Sequence, residues 1–165
     1  MIRIAGLNGN DFVNGKGVSV SLFLQGCPFH CEGCHNPETW NPKGGIEVDE
    51  GDLIQQILTL INANNITRNL SILGGEPLDT EQKRYFLREL IIRAKYYYPE
   101  IKIVLWTGYK YNDIKDKEDF KYILENIDYL IDGPFILKER DITLKWRGSR
   151  NQNIINMKTG EIEND

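Results

Sequence analysis

Three cysteines within an eight-residue run are the residues of this sequence best suited to chemistry. Cys27, Cys31 and Cys34 are the only cysteines of the 165-residue chain, and they follow a Cys-x3-Cys-x2-Cys spacing. A cubane [4Fe-4S] cluster is normally held by four thiolates. Three thiolates leave one iron atom open, so a small molecule that chelates it can react at the cluster. The spacing therefore predicts a reactive iron–sulfur site.

Other uses of clustered cysteines fit the sequence less well. A structural zinc ion takes four protein ligands, usually as two separated pairs, and no second pair is present. His30 and His35 could complete a zinc site, but both lie in the same short segment. A disulfide framework uses an even and usually larger number of cysteines. Inert buried cysteines are expected to scatter along a chain. A non-enzymatic metal-binding adaptor stays open as an alternative.

The segment Gly74-Gly75-Glu76 is a second candidate for binding. Glycines let backbone carbonyls come within hydrogen-bonding distance of a ligand, and a carboxylate pairs with a cationic amine. A segment of this kind after a strand is more often a simple turn. Its value as a site depends on the cysteines upstream.

Hydrophobic periodicity predicts strands and helices that alternate along the chain. A strand over 18–25 leads directly into the cysteines, and apolar residues at helical spacing predict helices over 49–62, 79–98 and 117–126. Alternation of this kind favours parallel strands, whose ligands bind beyond the carboxyl ends. We therefore expect the cysteines, Gly74–Glu76, Thr107–Gly108 and Asp132–Gly133 to meet at one rim. The other predicted strands are 70–73, 102–106, 129–132 and 153–156.

Length and composition limit the class of protein. A chain of 165 residues fits one domain and is shorter than the ~250 residues of a full eight-fold β/α barrel. The formal net charge of −4 argues against general affinity for nucleic acid. No apolar stretch is long enough for a membrane span, and no secretory signal pattern is present. Clustered free thiols favour a reducing compartment, so we expect a cytoplasmic protein.

The cysteine spacing resembles the signature of the radical S-adenosylmethionine enzymes. Further segments resemble one branch of that superfamily, the activating enzymes of anaerobic ribonucleoside-triphosphate reductase. They follow the family's order and cover nearly the whole chain. Gly33 stands where the superfamily often has an aromatic residue, and His35 also replaces one. The matching segments are 11–17, 34–40, 73–78, 105–109, 131–135 and 144–149.

The resemblance implies a fold, cofactors and site residues. The fold is α/β, a partial, open (βα) barrel with mainly parallel strands, truncated relative to the full radical S-adenosylmethionine type. Residues 1–165 form one domain, in which about 133–165 is a partner-docking extension. Cys27, Cys31 and Cys34 hold the cluster, and no other residue is assigned a catalytic role. Thr107 and Gly108 either contact S-adenosylmethionine or form a packed strand end. The residues implied to bind S-adenosylmethionine are Gly33, Cys34, His35, Gly74, Gly75 and Glu76.

The resemblance also implies a function. A reduced [4Fe-4S] cluster would cleave S-adenosylmethionine, and the 5′-deoxyadenosyl radical would abstract hydrogen from a glycine of the reductase's large subunit. A low-potential electron donor, such as flavodoxin or ferredoxin, would reduce the cluster. A radical enzyme that acts on a small molecule, similar to the carboxy-deazaguanine synthases, is the alternative within the superfamily. A wide mouth on a truncated barrel would suit a protein substrate.

Residues 138–150 carry five basic and two acidic side chains, a local charge of +3 in an acidic chain. Such a segment is either an ordinary solvated surface or a docking site for an acidic partner. In the second interpretation Trp146 is an aromatic anchor, and substitution of Trp146 and Arg147 should weaken partner binding.

Overall fold

The computed structural model describes residues 1–164, and its centre is one seven-stranded sheet in the order β3-β1-β2-β4-β5-β6-β7. The last residue of the predicted docking extension, 165, lies outside the described residues. The strands are β1 (Ile2–Asp11), β2 (Ser19–Leu24), β3 (Ile46–Val48), β4 (Asn69–Gly74), β5 (Ile103–Trp106), β6 (Tyr129–Asp132) and β7 (Asn153–Asn156).

The sheet is mixed, parallel in its centre and antiparallel at both edges. The pairs β2–β4, β4–β5 and β5–β6 are parallel, whereas β1–β2, β1–β3 and β6–β7 are antiparallel. The predicted α/β class is therefore confirmed. The expectation of mainly parallel strands is confirmed in part, because three of the six strand pairings are parallel. Two strands on the N-terminal side of the sheet, β1 and the edge strand β3, were not predicted.

The helices begin and end close to the predicted positions. Asp49 caps α1 by accepting a hydrogen bond from the Asp52 amide, and the Thr80 hydroxyl caps α2 by accepting one from the Lys83 amide. Such caps satisfy amides that have no partner inside the helix. The helices are α1 (Glu50–Ile61), α2 (Glu81–Tyr97), α3 (Tyr111–Ile114) and α4 (Glu118–Asn126), with short 3-10 turns at Pro37–Thr39, Ala63–Asn65 and Leu137–Glu139.

The main core lies between the helices and one face of the sheet. Leu22, Ile72 and Leu105 are in register across the three central strands and are completely buried. Helix residues Ile57 and Phe86 belong to the same cluster. This packing anchors the strands, so their carboxyl ends are held at fixed positions. None of the helices in the described part of the chain is long and apolar enough to cross a bilayer.

A loop, rather than a helix, covers part of the opposite face. The Ser71 hydroxyl donates to the Asn14 carbonyl at 2.7 Å, and Ser21 donates to the Asp11 carboxylate at 2.7 Å. Gly15 has φ +99°, and a Cβ at this position would lie 2.5 Å from Ser71 Oγ. Small buried serines therefore let the 11–17 loop pack directly on β2 and β4.

Candidate functional site

The carboxyl ends of the parallel strands surround one cavity of about 190 Å³. All three cysteines line this cluster cavity, together with the turns that follow β4, β5 and β6. The predicted convergence is thus observed for the cysteines, Gly74–Glu76, Thr107–Gly108 and Gly133, whereas Asp132 lines a neighbouring cavity. The other residues that line the cavity are Phe29, Asn36, Leu73, Gly74, Gly75, Glu76, Trp106, Thr107, Gly108, Gly133, Pro134, Phe135 and Gln152.

The cysteine loop presents three free, half-buried thiols. The Cys34 amide donates to the Cys31 carbonyl at 3.1 Å, which bends the chain so that both side chains face the cavity. The Asn36 amide donates to Cys34 Sγ at 3.4 Å. Burial raises the pKa of the Cys27 thiol. Among residues 1–164, no three His, Cys, Asp or Glu side chains form a set for a single metal ion.

Backbone hydrogen bonds hold the base of the cysteine loop against residues that follow it. The Gly26 amide donates to the Thr39 carbonyl at 2.7 Å, and the Cys27 amide donates to the Trp40 carbonyl at 3.2 Å. The side chain of Gln25, which is 3% exposed, donates through Nε2 to the Glu38 and Asn41 carbonyls, each at 2.8 Å. The first cysteine is therefore fixed in position before any ligand binds. Sequence reasoning missed Gln25.

Gly74 and Gly75 allow the turn after β4 to contact the base of the cysteine loop. Gly74 has φ +112°, and a Cβ there would lie 2.4 Å from the Leu24 amide nitrogen. A Cβ on Gly75 would lie 2.4 Å from the Gly26 carbonyl oxygen. The Gly75 amide donates to the Leu24 carbonyl at 2.8 Å. The close approach of two backbones therefore requires both glycines.

Glu76 joins two neighbouring turns through its buried carboxylate. Oε1 accepts hydrogen bonds from the Thr107 hydroxyl at 2.7 Å and the Leu78 amide at 3.0 Å, and Oε2 accepts one from the Gly108 amide at 2.7 Å. The residue is 1% exposed. Burial raises the pKa of Glu76 to about 7, against the lowering effect of these hydrogen bonds. The Thr107 hydroxyl, which also accepts from the Tyr109 amide, positions this turn.

The raised pKa of Glu76 predicts a specific pH dependence of stability. Between the ordinary value of 4.5 and about 7, the folded protein retains a proton that the unfolded chain has lost. The contribution of Glu76 to the free energy of unfolding is therefore largest below pH 4.5 and falls by about 3 kcal/mol as the pH rises through 7. Urea unfolding of the reduced apoprotein from pH 4.5 to 8 measures this slope.

Two variants isolate the contribution of this carboxyl. Glu76→Gln removes the titrating group, so its stability should fall less steeply over the same pH range. Glu125→Gln changes an exposed residue of α4 and should keep the wild-type slope. Equal slopes for all three proteins would show that Glu76 does not titrate in this window.

A buried lysine fixes the distance between the cysteine loop and the Glu76 turn. Lys83 is 7% exposed, and its ammonium donates to the Gly26 carbonyl at 3.0 Å and the Glu76 carbonyl at 2.9 Å. It also pairs with the Asp79 carboxylate at 2.8 Å. Lys83 is therefore a positioning residue for both walls of the cavity. The only signal for it in the sequence is the i,i+4 spacing of Asp79 and Lys83.

Two of the predicted S-adenosylmethionine contacts lie outside the cavity wall. Gly33 and His35 are exposed, and the His35 ring packs on Phe135 with a centroid distance of 5.6 Å. Gly33 has φ +77° and lies against Leu137. His30, to which no role was assigned, stacks on Trp40 at 4.7 Å. Cys34, Gly74, Gly75 and Glu76 do line the cavity.

One basic residue of segment 138–150, Arg147, is buried and does not lie free on the surface. Arg147 is 8% exposed, and its guanidinium donates to the Gln152 and Asn164 carbonyls. Arg147 therefore binds backbone carbonyls inside the fold, so its substitution would also disturb the C-terminal segment. Trp146 is half-buried, and its carbonyl accepts a hydrogen bond from Trp106 Nε1 at 2.7 Å.

Comparison with known families defines the class of protein to which this site belongs. The family model described as "4Fe-4S single cluster domain" matches residues 13–155, which include all three cysteines and every strand of the cavity rim. The chain is therefore an iron–sulfur domain protein of the single-cluster class.

Similar proteins place the chain in one family within this class. The chain is 38% identical over 157 residues to the anaerobic ribonucleoside-triphosphate reductase-activating protein of Enterobacteria phage T4, covering 94% of each chain. It is 38% identical to the protein of that name from Haemophilus influenzae and 34% identical to that from Escherichia coli K12, over 86% of this chain and 90% of each relative. The chain belongs to the family of anaerobic ribonucleoside-triphosphate reductase-activating proteins.

Proposed function

We propose that the protein binds a [4Fe-4S] cluster through Cys27, Cys31 and Cys34 and uses it to activate an anaerobic ribonucleoside-triphosphate reductase. The observation that carries this proposal is the lining of one cavity by three free thiols and by the Gly74–Glu76 turn. Thiols are the ligands that such clusters take. An amide that donates to Cys34 Sγ suits a cluster ligand, since hydrogen bonds to cluster sulfurs tune the potential.

S-adenosylmethionine is the proposed ligand of the remaining space. The Glu76 carboxylate accepts three hydrogen bonds of the roughly four that two carboxylate oxygens can accept, which leaves capacity for a ligand ammonium. The Glu76 carbonyl accepts a hydrogen bond from Lys83 at 2.9 Å, which positions the residue whose carboxylate would bind the ligand. Phe29 lines the same cavity and supplies an apolar surface.

When bound, the cluster supplies one electron that breaks the S–C5′ bond of S-adenosylmethionine, giving methionine and a 5′-deoxyadenosyl radical. The proposed substrate is a glycine of the reductase's large subunit, from which that radical takes hydrogen. Flavodoxin or ferredoxin is the proposed class of electron donor, and a reducing cytoplasm the proposed location. The further proposal that the sheet is a truncated, open (βα) barrel would give the cavity a wide mouth, which suits a polypeptide substrate.

Electron paramagnetic resonance of the reconstituted protein tests this function. We expect the anaerobically reduced protein to give a reduced-cubane signal whose shape changes when S-adenosylmethionine is added. Production of 5′-deoxyadenosine, followed by chromatography, should accompany it. A protein that binds zinc in place of iron and leaves S-adenosylmethionine intact would instead be a metal-binding adaptor.

A further inference from the structure

A second cavity, of about 450 Å³, lies directly beside the cluster cavity. We call it the side groove. It lies beyond the carboxyl end of β6, between the start of α3 and the start of β7. Its walls combine amide and apolar side chains with Lys110, Tyr111 and Asp132, and the cluster ligands do not line it. The residues important here are Asn112, Asn151, Asn153, Pro134, Ile136 and Ile162.

The side groove and the cluster cavity share one lip, formed by Gly133 and Pro134. Asn151 Nδ2 donates to the Pro134 carbonyl at 2.7 Å, and Gln152 Nε2 donates to the Gly133 carbonyl at 3.0 Å. Asn151 lines the side groove, whereas Gln152 lines the cluster cavity. Asn151 and Gln152 therefore fix the Gly133–Pro134 lip, one from each cavity. A bound polypeptide could cross this fixed lip from one cavity to the other.

Hydrogen bonds to Asp132 fix the two walls of the side groove relative to each other. Asp132 is 7% exposed and accepts hydrogen bonds from the Tyr111 amide at 2.8 Å and the Asn153 amide at 3.2 Å. These bonds join the first residue of α3 to the first residue of β7. The two walls are thus kept at a fixed separation, so a ligand would bind without first ordering the groove.

The chemistry of the walls fits a polypeptide backbone. Amide side chains offer both donors and acceptors, which match the N–H and C=O groups of an extended chain. Asn151 Oδ1 is buried and has no hydrogen-bond partner among residues 1–164. Ile136 and Ile162 are 39% and 59% exposed, so apolar surface is left to be covered. Peptide recognition commonly combines main-chain hydrogen bonds with apolar contacts of this kind.

We propose that the side groove binds the extended segment of the reductase's large subunit that carries the target glycine. This proposal rests on the proposed function, which requires a polypeptide glycine to enter the cluster cavity. The segment lies along the side groove and crosses the Gly133–Pro134 lip, so that its glycine reaches the cavity lined by the cysteines. A residue without a side chain is the one that passes most easily over a narrow shared edge.

A charge-inserting double variant tests the side groove. Ile136→Asp with Ile162→Asp places two carboxylates on exposed apolar positions, where the fold should tolerate them. With the purified large subunit of the same organism's anaerobic reductase at subsaturating concentration, we expect the initial rate of glycyl-radical formation to fall by about tenfold. Cleavage of S-adenosylmethionine without the large subunit should stay within about twofold of wild type. Ile66→Asp, at a 53% exposed position between α1 and β4, is the matched control.

The outcomes separate the side groove from the function as a whole. If wild-type protein makes neither 5′-deoxyadenosine nor a glycyl radical, the proposed function fails. If wild type is active and the double variant forms radical at the wild-type rate, the side-groove proposal is wrong. Loss of partner-independent cleavage in the double variant would also contradict it, since the side groove would then serve the smaller ligand.

Photo-cross-linking gives a second measurement that does not depend on a destabilising change. With p-benzoylphenylalanine in place of Ile162, we expect mass spectrometry to find the cross-link on the segment that contains the target glycine. Cross-links confined to other parts of the large subunit, or to a second copy of this chain, would overturn the proposal.

Discussion

Replacement of Cys27, Cys31 or Cys34 by alanine, one at a time, is expected to abolish cluster retention and glycyl-radical formation. All three cysteines of the sequence line the cavity, so no further cysteine could replace one that is removed. A cluster that lacks a protein ligand is exposed to loss of iron. Iron content, sulfide content and the reduced-cubane resonance of each reconstituted variant measure the effect.

The control for these variants lies in the same loop. Glu32 is exposed between two of the cysteines, so Glu32→Ala should keep the cluster and its resonance. All four variants are expected to retain the wild-type far-ultraviolet circular dichroism, because the thiols are half-exposed and small. Normal turnover in any one of the cysteine variants would show that its thiol is not a ligand.

The second large effect is expected at Lys83. Lys83→Met removes the ammonium that pairs with Asp79 and donates to the Glu76 carbonyl. Loss of one partner of a buried ion pair leaves the other charge uncompensated, so the free energy of unfolding should fall by about 3 kcal/mol. Urea denaturation of the reduced apoprotein at pH 7 measures this loss.

The comparison for Lys83 is an exposed lysine on another helix. Lys121→Met, on α4, should change the free energy of unfolding by less than about 0.5 kcal/mol. In the reconstituted Lys83→Met protein, the Michaelis constant for S-adenosylmethionine should rise, because the two cavity walls lose one of the contacts that hold them together. A Lys83→Met protein as stable as Lys121→Met would contradict the proposed role of the ammonium.

Local sequence patterns predict the central strands and the long helices well. Leu53, Ile57 and Ile61 repeat at helical spacing, and Asp49 and Thr80 cap their helices as their residue types suggest. The strand before the cysteines is continuously apolar near its end. These segments bury one face against a shared core, so the pattern and the structure agree.

The strands on the N-terminal side of the sheet were harder to predict. β1 contains two glycines and two asparagines, and only Ile2, Ile4 and Asp11 are buried in it. It forms a strand because β2 and β3 pair with it on either side. Pairing of this kind depends on tertiary contacts rather than on local propensity.

Sequence analysis predicted the site residues whose role follows from residue type alone. It missed the residues whose role depends on partners that are distant in the sequence. Cysteine spacing identified the thiols, but the partners of Gln25 and Lys83 are backbone carbonyls as far as 57 residues away. No sequence pattern records such a contact. The contacts of Arg147 were missed for the same reason, because the carbonyls that it binds belong to the C-terminal segment.

The Glu76 network has a consequence for the order in which ligands bind. Its amide donates to the Gly26 carbonyl at the base of the cysteine loop, while its carboxylate binds the turn after β5. Under the proposed function, loading of the cluster and binding of S-adenosylmethionine would therefore act on one connected set of hydrogen bonds. If the cluster raises the affinity for S-adenosylmethionine by some factor, thermodynamic reciprocity requires S-adenosylmethionine to raise the affinity for the cluster by the same factor. The second ligand would then protect the first from dissociation.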